Sequence, residues 1–234
     1  MSSIQQNIEQ ITSQIRSAEK KCGRDPDSVQ LLAVSKTKPI DAILEAALGG
    51  QVAFGENYVQ EGVDKVKHFS EHHSNLNLEW HFIGPIQSNK TRPIAESFQW
   101  VHSVDRDKIA QRLNDQRPSE LPPLQVLIQV NTSGENSKSG TSEETVFALA
   151  ELISSLPNLT LRGLMSIPAN VSDYQSQLNA FSQLAKLQQK LVAKYADIDT
   201  LSMGMSGDMD AAVEAGSTMV RIGTAIFGAR DYAK

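Results

Sequence analysis

Cysteine occurs once in 234 residues, at Cys22. One thiol can neither close an intrachain disulfide nor build a multi-cysteine metal site, so nothing points to an oxidising compartment. No stretch approaches a bilayer-spanning apolar length, and the N-terminal MSSIQQNIEQITSQIRSAEKK has neither the basic start nor the continuous apolar core of a secretory signal. A cytoplasmic location is expected. No basic run stands out either: Lys+Arg number 22 against Asp+Glu 27, a formal charge of -5, which argues against a nucleic-acid partner. The 14 glycines and 9 prolines form no linker or low-complexity tract. Also missing is a G-x-G-x-x-G turn after the first strand-like segment, where a dinucleotide would need close backbone approach.

What is present is an alternating pattern. Ile4, Ile8, Ile11 and Ile15 fall on one stripe of an opening helix. LLAVS (31–35) then reads as a strand, and DAILEAALGG reads as a helix ended by Gly49 and Gly50. Strand-like segments recur near 52–54, 79–83, 100–104, 124–130, 159–165, 199–203 and 218–222, with helical stretches between most of them. Eight short strands alternating with helices favour a closed parallel (β/α)8 barrel over an open doubly wound sheet. No repeat or linker divides the chain, and IFGARDYAK after the last strand is too short for a second domain, so one domain over residues 1–234 is expected.

Barrel enzymes place their chemistry where strands end, so those positions come first. Alternation sets Leu32, Val34 and Lys36 on one strand face. If that face is interior, Lys36 brings an amine to the mouth of a largely apolar cavity, where desolvation frees it to attack a carbonyl as a Schiff-base nucleophile. The plainer alternative is a solvated lysine at a strand end, the reading also given to Lys38. After strands seven and eight lie Gly204-Met205-Ser206-Gly207 and Gly223-Thr224, small-residue clusters at the loops where barrels recurrently bind phosphate. Each alone would be an ordinary turn. Arg221 sits inside the strand MVRIG, a position that demands a partner. An interior carboxylate would make it a structural ion pair; otherwise it is a donor to an anion or a heteroaromatic nitrogen.

His81 and Ile83 share a strand face and could reach the pocket, although a core histidine is the commoner outcome. Asn57 could be a helix cap, and Met165, core filler or pocket wall. His68, His72 and His73 have chelating spacing but no evident further ligand, and read as a solvated helix end.

The blocks FGENYVQE (54–61), WHFIGPIQSNK (80–90), GLMSI (163–167) and LSMGMSGDMDAAVEAGSTMVRIGTAIFGAR (201–230) stand in order over most of the chain. They resemble the pyridoxal phosphate homeostasis proteins of the YggS/PROSC type, bacterial members above all. The resemblance implies a single barrel of the alanine racemase N-terminal type, with the added N-terminal helix and without a second β-domain. It implies pyridoxal 5'-phosphate held as a lysine aldimine on Lys36, the phosphate on Ser206, Gly223 and Thr224, and Arg221 against the pyridine nitrogen. Asn57, His81, Ile83 and Met165 would line the ring. The function implied is intracellular vitamin B6 homeostasis and cofactor supply by a monomer, with apo-forms of pyridoxal phosphate enzymes as partners and no turnover of its own. A small racemase-like enzyme of the same fold type is the alternative. From the residues alone, a lysine aldolase acting on a sugar phosphate stays open as well.

Overall fold

The computed structural model describes residues 3–134 and 139–229. Its strands are β1 (Gln30–Val34), β2 (Ala53–Glu56), β3 (Glu79–Phe82), β4 (Trp100–Val104), β5 (Leu124–Gln129), β6 (Leu159–Met165), β7 (Thr200–Ser202) and β8 (Met219–Ile222). The α-helices are α1 (Ile4–Lys21), α2 (Ile40–Leu48), α3 (Val59–His72), α4 (Thr91–Ser97), α5 (Asp107–Gln116), α6 (Val146–Ser155), α7 (Tyr174–Val192), α8 (Met209–Ala215) and α9 (Thr224–Phe227). The strands pair in sequence order, all parallel, and β8 closes on β1. This is the (β/α)8 barrel expected from the alternation.

Strand alternation divides the core in two. Ala33, Phe54, Phe82, Val101, Val126, Leu164, Val220 and Ile222 join the cluster shared with the helices. Leu32, Val34, Ala53, Ile83 and Met219 form a separate apolar cluster, and Trp100, Leu127 and Met165 another, on the opposite, interior face. Full burial of side chains such as Phe54 and Phe82 stabilises the fold by roughly 1.5–3 kcal/mol each. The face carrying Leu32 and Val34 is therefore the interior one, as the Lys36 argument required.

Helix α1 begins with a capping box in which Ser3 and Gln6 satisfy each other's backbone N–H. Its Ile11 and Ile15 are buried, Ile4 and Ile8 pack partly buried beside them, and Asn7 Nδ2 donates to the Ile226 carbonyl at 2.8 Å. The N-terminal helix is thereby tied to the end of the barrel chain. Among the described residues no helix is long and apolar enough to cross a membrane.

Strand β2 runs two residues past the expected 52–54. Glu56, beyond the expected strand end, is fully buried and paired from behind with Lys65 of α3 at 2.8 Å.

Candidate functional site

The loop leaving β1 carries Lys36, partly buried, two residues beyond the strand end. It is clamped from behind. Ser35 is buried, and its hydroxyl donates to Glu56 Oε1 at 2.5 Å. The Thr37 N–H, at a left-handed φ of 62°, donates to Glu61 Oε1 at 2.6 Å. Both carboxylates converge on Lys65 Nζ, at 2.8 and 2.5 Å, and that ammonium also donates to the Ser35 carbonyl at 2.8 Å. Burial pushes the Glu56 carboxyl up from its ordinary range, against the opposing pull of Lys65. Lys65 is thus a buried lysine whose ammonium donors are all directed at oxygens, which removes it as a competing nucleophile.

Lys38 differs from its expected solvated state. Its ammonium donates to the carbonyls of Phe227, Gly228 and Ala229 at 3.2, 3.0 and 2.9 Å. The last carbonyls of α9 have no intrahelical partners, and a cation at that end satisfies them.

At the C-terminal rim of the barrel, Asn57 follows β2 and Ile83 follows β3. Both line a cavity of about 200 Å³ together with Pro85, Gln129, Ser139 and Ile167. Gly84 makes this approach possible, since a Cβ there would fall 2.2 Å from the Asn57 carbonyl oxygen. Asn57 is not the cap of α3; Tyr58 occupies that position. Its Oδ1 is buried without a hydrogen-bond partner, as are Ser166 Oγ after β6 and Thr132 Oγ1 after β5. Three orphaned oxygens on loops at the same rim mark a place built to receive polar groups.

Arg221 points into the barrel and is buried. Its Nη1 donates to Ser202 Oγ at 2.7 Å and its Nη2 to the Ser166 carbonyl at 2.9 Å. Both acceptors are neutral. Among the described residues no carboxylate forms an ion pair with it; Asp208 acts on it only through space, and burial pushes the guanidinium down to about 10. The ion-pair reading of Arg221 therefore lacks its carboxylate contact. The group stays cationic near neutrality, with donors beyond these two bonds.

The loops after β7 and β8 form tight turns. Met205 N–H donates to Asp208 Oδ1 at 2.6 Å and Asp208 N–H to the Met205 carbonyl at 3.2 Å, leaving Ser206 and Gly207 exposed at the tip. Gly223 precedes α9 and lies against β1, where a Cβ would come 3.2 Å from the Val34 carbonyl oxygen. Thr224 opens α9 and is exposed. Ser206 and Gly207 also border a larger groove, about 560 Å³, between α1, α7 and α8 on the outside of the barrel, which none of Lys36, Asn57, Ile83 or Arg221 lines.

Met165 ends β6, fully buried against Trp100 and Leu127, and its strand neighbour in register is Ser202. His81 is fully buried, with Nδ1 at 2.8 Å from His102 Nε2 and Nε2 at 2.7 Å from Glu79 Oε1, so both ring nitrogens are engaged. His68, His72 and His73 cluster ring against ring, and no metal-holding group exists among the described residues. Sequence reasoning missed Glu56, Glu61 and Lys65, and also Ser166, Ser202 and His102. Glu61 and Lys65 stand at i, i+4, a spacing that ordinarily signals a surface helix pair.

Residues 6–231 match the family model of the alanine racemase N-terminal domain. The pyridoxal phosphate homeostasis protein of Vibrio alginolyticus is 78% identical over 99% of this chain and 100% of its own. That of Escherichia coli K12 is 58% identical over the full length of both. Among solved structures, PipY of Synechococcus elongatus with pyridoxal phosphate bound is 34% identical, with a TM-score of 0.82 over 97% of this chain and 100% of PipY. Alanine racemase of Corynebacterium glutamicum shares the fold alone, at 16% identity and TM-score 0.66, and this chain covers 62% of it. The conserved barrel, the match along its whole length and the level of identity together make this chain a member of the pyridoxal phosphate homeostasis protein family, built on the alanine racemase N-terminal fold.

Proposed function

We propose that this protein binds pyridoxal 5'-phosphate through Lys36 and serves vitamin B6 homeostasis by holding and handing over the cofactor, without amino acid turnover of its own. The observation that carries this reading is Arg221, a buried cation hydrogen-bonded to two neutral groups and in register with Leu32, on the interior face of β1 that leads up to Lys36. Orphaned Asn57 Oδ1 and Ser166 Oγ fit a polar heteroaromatic guest at that rim. PipY, whose structure holds pyridoxal phosphate, supports the same choice.

When bound, the cofactor supplies an aldehyde for a lysine and a ring able to accept electrons. The chain's own residues divide the remaining work. Lys36 provides the amine, while Lys65, Glu56 and Glu61 fix the loop it stands on. Ser206, Gly223 and Thr224, on turns at the ends of β7 and β8, would hold the phosphate, and Asn57, Ile83 and Met165 would line the ring. Arg221 would face the pyridine nitrogen with its remaining N–H donors. An arginine there keeps its own protons near neutrality, so it would leave the nitrogen an acceptor and make the ring a weak electron sink.

Racemisation needs an acid/base group on each face of the substrate within hydrogen-bond reach. His81 is the interior side chain on hand for the second face, but both its nitrogens are held by Glu79 and His102. That engagement favours the carrier over a racemase-like enzyme and leaves the aldolase reading without support from the relatives. The protein is expected to be cytoplasmic and mainly monomeric, and to pass the cofactor to apo-forms of pyridoxal phosphate enzymes.

The test incubates the loaded protein with a panel of L- and D-amino acids while following chirality, carbon dioxide and keto acids, and separately measures cofactor transfer to an apo-enzyme. Transfer without turnover is the expected result. Turnover at about 1 per second or faster would establish the enzyme instead. Sedimentation checks the assembly, and a concentration-independent dimer would contradict the monomer.

A further inference from the structure

Beneath the rim, four hydrogen bonds run end to end across the barrel interior. Arg221 Nη1 to Ser202 Oγ spans 2.7 Å, Ser202 Oγ to His102 Nδ1 2.9 Å, His102 Nε2 to His81 Nδ1 2.8 Å, and His81 Nε2 to Glu79 Oε1 2.7 Å. The participants come from β8, β7, β4 and β3, so the Ser202–His102 step crosses the lumen between strands that are not neighbours. Both histidines are fully buried. Glu79 is the first residue of β3, at the end of the barrel opposite the rim, and its side chain is 37% exposed.

We infer that these five side chains form one directional hydrogen-bond wire, anchored by Glu79, that orients the Arg221 guanidinium from the far end of the barrel. Ser202, His102, His81 and Glu79 are then positioning residues for recognition at Arg221. The inference rests on the function proposed above only for what Arg221 recognises.

The direction follows from the two ends. A guanidinium only donates and a carboxylate only accepts. Ser202 Oγ must therefore accept from Arg221, and its own hydrogen goes to His102 Nδ1. His102 then carries its hydrogen on Nε2 and donates to His81 Nδ1, and His81 carries its hydrogen on Nε2 and donates to Glu79. Each link has one donor and one acceptor, and both imidazoles are neutral. Reversing the wire would require a protonated Glu79 and would leave the Ser202 hydroxyl facing two donors.

The surroundings agree with this direction. Burial holds both histidines below their ordinary range, and His81 and Arg221 add to the effect on His102. The bond from His81 holds Glu79 below the ordinary carboxylate range, helped by the Trp100 indole and by Arg162. Arg162 lies 4.8 Å over the Trp100 ring and is paired with Asp199 at 3.0 and 2.6 Å. The His81 ring stacks on Trp100 at 5.2 Å and 11°, which fixes its plane. Chained hydrogen bonds polarise one another, so the Glu79 charge sharpens the acceptor that Ser202 offers to Arg221.

Side-chain ¹⁵N NMR of the full-length protein, prepared without added cofactor, tests the wire. The expected spectrum has His81 and His102 both as neutral Nε2–H tautomers from about pH 6 to 8, across the usual histidine range. Glu79→Ala should move the His102 and Arg221 signals although neither residue touches position 79. Glu79→Gln keeps a carbonyl acceptor and should preserve the tautomers. Pyridoxal phosphate titrated into Glu79→Ala should bind about tenfold more weakly, the equivalent of one hydrogen bond. An Nδ1–H tautomer or an imidazolium at either histidine, or Arg221 signals unmoved in Glu79→Ala, would overturn the wire. If Glu79→Ala does not fold, the wild-type and Glu79→Gln spectra still decide. Failure of the functional reading looks different: the tautomers would be as expected, yet wild-type protein would not bind pyridoxal phosphate.

Discussion

The two sides of the barrel mouth are built by opposite means. On the β1 side, the loop bearing Lys36 is held by side chains: Lys65 and Glu56, both buried, together with Glu61 and the triple bond set of Lys38. On the β7 and β8 side, Ser206, Gly207, Gly223 and Thr224 are shaped by backbone turns and are mostly exposed. The proposed roles match this difference: a nucleophile is served by buried, ionic support that fixes its position, and an anion cup by accessible N–H groups and hydroxyls on turns of small residues. The difference teaches that stability and ligand affinity should separate along this line.

The largest effect is expected on the β1 side. Lys65→Met leaves Glu56 buried without its cation, and equilibrium urea unfolding should register a loss of about 3–5 kcal/mol. A loss below about 1 kcal/mol would mean that the clamp is not what holds the Lys36 loop.

A smaller effect should come from the interior layer that both sides share. The folded-state values of His81 and His102 are depressed by burial, so stability is fully present above the unfolded histidine value of about 6.5 and declines as pH falls below it. Thermal unfolding followed from pH 7.5 to 5 should show this decline, and His102→Asn should flatten it. An unchanged slope in that variant would assign the acid sensitivity elsewhere.

The smallest stability change belongs to the cup. Ser206→Ala alters an exposed turn tip and should leave unfolding within about 0.5 kcal/mol of wild type. Pyridoxal phosphate binding should weaken several-fold in the same variant, while pyridoxal, which has no phosphate, should bind equally well to both proteins. Equal losses for the two ligands would remove Ser206 from the phosphate site.

Local patterns made the barrel and several of its rim residues legible in the sequence. Strand alternation grouped Leu32, Val34 and Lys36 on one face without saying which face is interior, and a charge within MVRIG singled out Arg221. Longer-range relationships were not legible. Lys65 sits four residues after Glu61 like any surface pair, and only the fold brings it against Glu56. His102 and Ser202 are separated by 100 residues yet bond across the lumen. Lys38 was misread for the same reason, because its carbonyl partners lie about 190 residues away at the end of α9. His81, which the resemblance set beside the ring, has both nitrogens committed to partners that no spacing rule connects to it.

Borohydride reduction of the protein loaded with pyridoxal phosphate, followed by peptide mapping, tests the central claim most directly. The label should fall on Lys36 alone, and Lys36→Ala should lose both the label and the yellow Schiff-base absorption while remaining folded. Label on Lys38 or Lys65, or full labelling in Lys36→Ala, would contradict the account.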